Sequence, residues 1–167
     1  FNDSKDFDNY PVTIEKDIDE MERAGCDVLF LPSVTEMYPS GTENTEKYDL
    51  GYLETILEGK FRPGHFQGVC MVVHRLLNII PADILFLGQK DYQQCMVLKK
   101  LIELKQLNTK ISICPTLREK DGLAMSSRNV RLTEEGRKQA LKIYENLSFL
   151  KSNIKPGDLT PLKESGI

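Results

Sequence analysis

The sequence predicts an α/β protein whose parallel sheet is covered by helices on both faces. Two observations predict it. Short, nearly unbroken apolar runs occur at 27–32, 84–87 and 110–114, and segments of helical apolar spacing alternate with them. Runs of that kind suit strands buried on both faces, and helical crossovers are what connect parallel strands.

The first helix is expected over 14–24, capped by Thr13, with Ile14, Ile18 and Met21 on one face and Gly25 ending it. Asp27-Val28-Leu29-Phe30-Leu31-Pro32 reads as the first strand. Residues 33–64 are rich in Pro, Gly, Ser and Thr, with Tyr38-Pro39-Ser40-Gly41 as the clearest turn and one short helix expected over 50–57. A long irregular excursion in a compact domain is more often functional than idle. Val69, Val72, Val73, Leu76, Leu77 and Ile80 then mark the apolar face of a helix that Pro81 stops. Ile84-Leu85-Phe86-Leu87 gives a second strand, Gly88 a turn, residues 91–104 a helix, and Lys110-Ile111-Ser112-Ile113-Cys114 a third strand before Pro115.

Beyond Thr116 the pattern changes. A polar loop around 125–128 leads through Thr133, an N-cap candidate, into a helix over 134–151 with Ala140, Tyr144, Leu147 and Leu150 on one face. A boundary near 116 therefore separates a domain over 1–116 from a smaller one over 117–167. The stretch from Lys155 onward carries little structural signal.

A chain of 167 residues can bury one good core and a small second unit. Its net charge of −3, with no basic stripe, gives no support for a nucleic-acid surface and leaves any phosphate chemistry to a few local cations. No apolar run approaches the roughly 18 residues that cross a membrane, and Phe1-Asn2-Asp3-Ser4-Lys5-Asp6 lacks the features of a signal peptide. Cys26, Cys70, Cys95 and Cys114 show no metal-type spacing and lie in or beside apolar segments, which predicts buried reduced thiols and a cytoplasmic setting. A start at Phe1 and an end at Gly166-Ile167 suggest part of a longer chain.

Two loops can do chemistry. In Arg118-Glu119-Lys120-Asp121-Gly122-Leu123-Ala124-Met125-Ser126-Ser127-Arg128-Asn129, two hydroxyls precede an arginine. Hydroxyls and backbone N–H groups cradle phosphate oxygens, and a guanidinium clamps them bidentately. Ser and Asn also favour caps and turns for local reasons, so both readings stand. Gly88-Gln89-Lys90-Asp91-Tyr92-Gln93-Gln94 lies where a buried strand ends and a helix begins, the usual ligand edge of an open α/β sheet. Lys90 can meet a phosphate, Asp91 a ribose hydroxyl or magnesium, and Gln94 a polar substrate. The alternative is a turn glycine with Asp91 as a plain N-cap. His65, in Arg62-Pro63-Gly64-His65-Phe66, lies within reach of the same sheet edge, whereas His74 reads as a solvated-face residue. Asp6 and Asp8 have no partner spacing for a metal, and Tyr10 alone reads as a packing residue. No Gly-x-Ser-x-Gly elbow, Walker-type loop or zinc spacing is present.

These segments, with Asp6-Phe7-Asp8-Asn9-Tyr10-Pro11, Met37-Tyr38-Pro39, Arg62-Pro63-Gly64-His65-Phe66-Gln67-Gly68-Val69 and Pro115-Thr116-Leu117-Arg118-Glu119, resemble the pantothenate synthetase (pantoate–β-alanine ligase) family in order, spacing and wording up to about Leu150. The resemblance implies a partial Rossmann-like domain of the nucleotidyltransferase type and a partial, smaller C-terminal α+β domain that closes over ATP. It implies ATP, pantoate and β-alanine as substrates, magnesium, no organic cofactor, and a homodimer. The implied reaction runs through a pantoyl adenylate. Carried over by position, Gly88, Gln89, Lys90 and Asp91 match the first ATP-binding segment, and the Leu117 backbone matches the adenine contact. Met125, Ser126, Ser127 and Arg128 match the mobile loop related to the KMSKS signature of class I aminoacyl-tRNA synthetases. Lys90, Ser126, Ser127 and Arg128 are the supporting catalytic positions. Gln94 and His65 match the pantoate side, Tyr10 and Arg128 the β-alanine side, and Asp91 is the candidate metal contact.

Two departures stand out. Gln89 replaces a usual Glu, and the family's His-x-Gly-His segment is not in this sequence. The 167 residues alone are therefore expected to be inactive. Another adenylate-forming nucleotidyltransferase, or a noncatalytic folded piece, are the competing readings.

Overall fold

The computed structural model describes residue 10 and residues 12–42 and 46–165, so Asp6 and Asp8 lie outside the described residues. The chain divides into two compact units, Phe1–Pro115 and Thr116–Ile167.

In the first unit, β1 (Ile84–Gly88) and β2 (Lys110–Cys114) pair in parallel, Ile84 opposite Lys110 and Gly88 opposite Cys114. Helices α4 (His65–Ile79) and α5 (Tyr92–Lys105) pack on one another. Upstream lie α1 (Ile14–Arg23), α2 (Val34–Met37), a 3₁₀ turn (Gly51–Glu54) and α3 (Leu57–Phe61). The core is Tyr48, Leu50, Phe66, Cys70, Val97, Leu98 and Leu101, with Leu87 and Ile111 of the sheet packed against it. In α4 the deeply buried positions are Phe66, Cys70 and Leu77. Val72 and Ile80, expected on the apolar face, are exposed, Ile80 as the extended residue that follows the helix.

The sheet is the expected parallel one, but it is one-sided among the described residues. Leu85 and Leu87 are half-buried, whereas Phe86 on the opposite face is 66% exposed. The expected strand at 27–32 is unpaired, with Val28 80% exposed. A strand is defined by the ladder it joins, and this run has no neighbouring strand among the described residues. Thr13 precedes α1 without capping it; its Oγ1 donates to Asp17 Oδ1 at 3.2 Å instead. The irregular excursion holds three short helical pieces rather than one over 50–57, and Ser33 and Glu36 close a capping box at the first of them.

His74 is not on a solvated face. Its side chain is 18% exposed, with Nδ1 3.2 Å from Tyr48 Oη and 3.3 Å from Glu46 Oε2. The cysteines divide equally: Cys70 and Cys95 are buried, while Cys26 and Cys114 are exposed, all four as free thiols. Burial, then the Glu54 carboxylate, pushes the Cys70 thiol up to about 12, and burial raises Cys95 as well. A thiol reagent at about pH 8 is accordingly expected to add twice to the native protein, at Cys26 and Cys114, and four times in urea. Intact mass reads the number of adducts, and a third one under native conditions would contradict this burial pattern.

In the second unit a 3₁₀ turn (Ser127–Arg131) precedes α6 (Glu134–Asn153), and α7 (Thr160–Ser165) folds back against α6. Thr133 Oγ1 accepts from Gly136 N at 3.0 Å, the N-cap that the sequence suggested. Tyr144 and Leu147 of the expected apolar face remain exposed, because the turn at Arg118 and Gly122 covers the Tyr144 ring only in part. No helix among the described residues is long and apolar enough to cross a membrane.

Candidate functional site

In the first unit a cleft of about 580 Å³ opens beside the start of α4, lined by His65, Gly68, Val69, Val72 and Gln94 among others. Gly64 turns the chain into α4 with φ +76, a left-handed conformation that glycine adopts without strain. This turn brings His65 to the cleft wall. The imidazole is 17% exposed and tilted against the Phe66 ring at 5.1 Å. Its Nε2 lies 3.9 Å from Glu58 Oε2, which also accepts from Arg62 Nη1 at 2.7 Å. Burial first, and the Arg62 charge second, hold its pKa below the usual histidine value despite Glu58. His65 is thus an uncharged imidazole at neutral pH, able to donate from one nitrogen and accept at the other.

Gln93 and Gln94 show how adjacent residues divide between fold and site. Gln93 Oε1 accepts from Glu58 N at 3.0 Å, and its Nε2 donates to Leu53 O and Ile56 O, both at 2.9 Å. Gln94 lines the cleft, and its side chain makes no hydrogen bond among the described residues. Gln67 repeats the structural use: it accepts from Tyr48 N at 2.9 Å and donates to Tyr48 O at 2.8 Å. Sequence reasoning gave neither Gln67 nor Gln93 a role, and only their clustering in the resemblance words hinted at one.

Gly88, Gln89, Lys90 and Asp91 stand at the carboxyl end of β1, exposed, the last three forming a 3₁₀ turn into α5. Gly88 has φ −78, and a Cβ added there would meet nothing within 4 Å, so its backbone surface is open to an approaching group. Asp91 occupies the N-cap position of α5 but makes no side-chain cap, so its carboxylate is not consumed by the helix. Lys90 has no ion-pair partner among the described residues. A helix start with N–H groups, a lysine and a carboxylate can take a phosphate together with its counter-cation. No group of three or more metal-type ligands occurs among the described residues. A single carboxylate nonetheless suits magnesium, which is commonly held by one or two carboxylates plus substrate phosphates. Tyr10 is 38% exposed.

The second unit holds the other loop. Arg118 and Ala124 bridge in antiparallel fashion, Met125 N donates to Leu117 O at 3.0 Å, and Gly122 makes the tight turn between them with φ +96. A Cβ on Gly122 would stand 2.7 Å from Tyr144 Cδ1, so both backbone and packing require glycine there. Arg118 lies over that same ring at 3.8 Å and donates to Gly122 O at 3.1 Å. Ser126 Oγ accepts from Arg128 N at 3.2 Å, so Ser126 is the cap of the 3₁₀ turn; Ser127 and Arg128 lie exposed on it, beside exposed Leu117 and Met125. Asn129, Glu119, Asp121 and Arg137 brace the loop. Hydrogen bonds from Arg137 hold the Glu119 and Asp121 carboxyls below their usual range.

A family profile described as Pantoate-beta-alanine ligase matches residues 1–165. The pantothenate synthetase of Cytophaga hutchinsonii is 46% identical over 160 residues, covering 96% of this chain and 56% of that protein. The Aquifex aeolicus pantothenate synthetase is 42% identical, with 95% and 55% covered. Among solved structures, pantothenate synthetase from Thermus thermophilus superposes with a TM-score of 0.89 at 39% identity, over 96% of this chain and 58% of that one. Pantoate-beta-alanine ligase from Francisella tularensis, complexed with beta-gamma ATP and beta-alanine, gives 0.80 at 41% identity, over 99% and 62%. This chain spans a little over half the length of the relatives it matches, and its fold is the corresponding part of their nucleotidyltransferase-like α/β architecture. The chain belongs to the pantoate–β-alanine ligase family.

Proposed function

We propose that this protein serves the ATP-dependent condensation of pantoate with β-alanine. The observation that carries the reading is the cleft where uncharged His65 and unbonded Gln94 meet, one helical turn from the exposed loop of Gly88, Gln89, Lys90 and Asp91. In the first step a pantoate carboxylate oxygen bonds to the α-phosphorus of ATP, the bond to the bridging oxygen breaks, and pyrophosphate leaves with its electron pair. In the second, the amine nitrogen of β-alanine bonds to the acyl carbon, the bond to AMP breaks, and the amine proton passes to solvent. Such chemistry rests on positioning and on neutralising charge on the departing pyrophosphate.

The roles follow from residue type. Lys90 and the N–H groups around Gly88 and Gln89 take phosphate; Ser126, Ser127 and Arg128 with Met125 form the pyrophosphate clamp; the Leu117 backbone meets adenine. Gln94 and His65 hydrogen-bond pantoate, and Tyr10 and Arg128 serve the β-alanine side. Magnesium arrives with ATP as part of the substrate, with Asp91 as its protein contact. Homodimeric assembly and a cytoplasmic setting complete the reading.

The 167 residues, which do not include the His-x-Gly-His segment, are expected to bind magnesium-ATP with micromolar affinity and to release no AMP when pantoate and β-alanine are added. Calorimetric titration and an AMP-release assay check both. Steady turnover would overturn the inactivity, and absence of ATP binding would overturn the site. In a pantoate titration Gln94→Ala is expected to weaken binding roughly 5- to 150-fold while ATP affinity stays within about two-fold, since leaving one polar group of the substrate unmatched costs on the order of 1–3 kcal/mol.

A further inference from the structure

The loop that carries Ser127 and Arg128 is held by side chains to which no role has been given. Asn129 follows these residues directly, and its Nδ2 donates to Glu119 Oε1 at 2.7 Å and to Ala124 O at 3.0 Å. The other Glu119 oxygen accepts from Arg137 Nη2 at 2.6 Å. That guanidinium also reaches Asp121 Oδ2, through Nε at 2.8 Å and Nη2 at 2.6 Å. Asp121 in turn uses its second oxygen to accept from Leu123 N at 3.1 Å.

A continuous path of hydrogen bonds therefore runs from Arg137 of α6, through the Glu119 carboxylate, to Asn129 in the middle of the 3₁₀ turn, while Asp121 anchors the same guanidinium from the side. Asn129 N donates to Ser126 O at 3.0 Å and Asn129 O accepts from Leu132 N at 3.1 Å, so fixing its side chain fixes the turn on either side of it. Each charged member is about one-third exposed (Arg137 34%, Glu119 31%, Asp121 33%), so the brace is not buried core and leaves the outward surface of the turn to a ligand. One guanidinium spanning two carboxylates has a planar geometry that lysine cannot reproduce.

We propose that Glu119, braced by Arg137 and grasping Asn129, is a positioning residue that fixes the turn bearing Ser127 and Arg128 for the terminal phosphates of ATP. This rests on the ATP reading above. On that reading the Leu117 backbone meets adenine, and the turn that the brace holds meets the departing phosphates. Removal of the brace therefore affects ligands with a triphosphate and spares those without one.

The test titrates magnesium-ATP and, separately, AMP into the 167-residue chain, Asn129→Ala and Arg137→Lys. Arg137→Lys keeps the charge and leaves the loop residues intact, so it is informative even where Asn129→Ala folds poorly; thermal melts monitor both. The ATP Kd is expected to rise roughly 5- to 20-fold in each variant, the loss of one or two charge-assisted hydrogen bonds, while the AMP Kd moves less than about two-fold. A brace serving stability alone would weaken both ligands together or neither, and either result overturns the proposal. A wild-type chain with no preference for ATP over AMP would overturn the clamp reading itself. A wild-type preference that persists in both variants would overturn the positioning role alone.

Discussion

Replacing Gln93 with alanine is expected to destabilise the first unit by about 2–3 kcal/mol, three hydrogen bonds at roughly 0.5–1.5 kcal/mol each with part of the site open to water. The strained residue it guards is Leu57, whose φ of +45 places a bulky side chain in the left-handed region. Backbone held there costs of order 1–3 kcal/mol and persists only when its surroundings over-determine it. Gln93 supplies that constraint. Its amide accepts from Glu58 N and donates to Leu53 O and Ile56 O, gripping the chain on both sides of Leu57 from a position 35 residues beyond Glu58. Alanine leaves these backbone groups unmatched. Urea unfolding of the purified chain checks the value, and a loss below about 0.5 kcal/mol would mean that water replaces the amide without cost.

Gln93→Glu sharpens the test through its pH dependence. The carboxylate keeps an acceptor for Glu58 N but turns acceptors toward the Leu53 and Ile56 carbonyls, so its pKa in the fold lies above the unfolded value of about 4.3. A group raised in the fold contributes stability that is complete below the unfolded pKa and lost as pH rises through the folded one. Gln93→Glu is therefore expected to approach wild-type stability near about pH 4 and to fall to the Gln93→Ala level, or below it, at about pH 7.

Helices α4 and α5 and strands β1 and β2 were legible because their signals are local: apolar spacing inside each element, and Pro81 and Gly88 as punctuation. What was not legible depends on partners elsewhere in the chain. The run at 27–32 has the composition of a strand, yet pairing is a property of two segments. Cys114 lies in an apolar run and is nonetheless exposed, because it ends β2 opposite Gly88, where the sheet gives way to solvent. His74 reads as solvated from its own helix, and it is Tyr48 and Glu46, outside that helix, that close on it. Nothing in the pair Gln93-Gln94 says which amide faces the excursion and which the cleft; the roughly 100° between successive helical residues decides it. Likewise Glu119 and Arg137 read as ordinary loop and helix charges, and only folding across 18 residues joins them.

Gly59→Ala is expected to cost about 2–3 kcal/mol, the usual scale of overpacking where nothing can yield cheaply. Gly59 lies within α3, where alanine is intrinsically better than glycine by roughly 1 kcal/mol, so an open site would gain stability. This site is closed. A Cβ there would stand 2.4 Å from Leu53 O, 2.7 Å from Glu54 Cα and 2.8 Å from Glu54 C, all backbone atoms. The excursion must shift, and the first atom displaced is the Leu53 carbonyl that Gln93 Nε2 holds. The two substitutions therefore act on one hydrogen bond. The double variant Gly59→Ala with Gln93→Ala is expected to lose about 1 kcal/mol less than the sum of the single losses, as neighbours sharing a partner do. Chemical unfolding of the four proteins reads that difference. Strict additivity would show that α3 and the Gln93 amide hold the excursion independently, and the single staple inferred for residues 53–58 would be wrong.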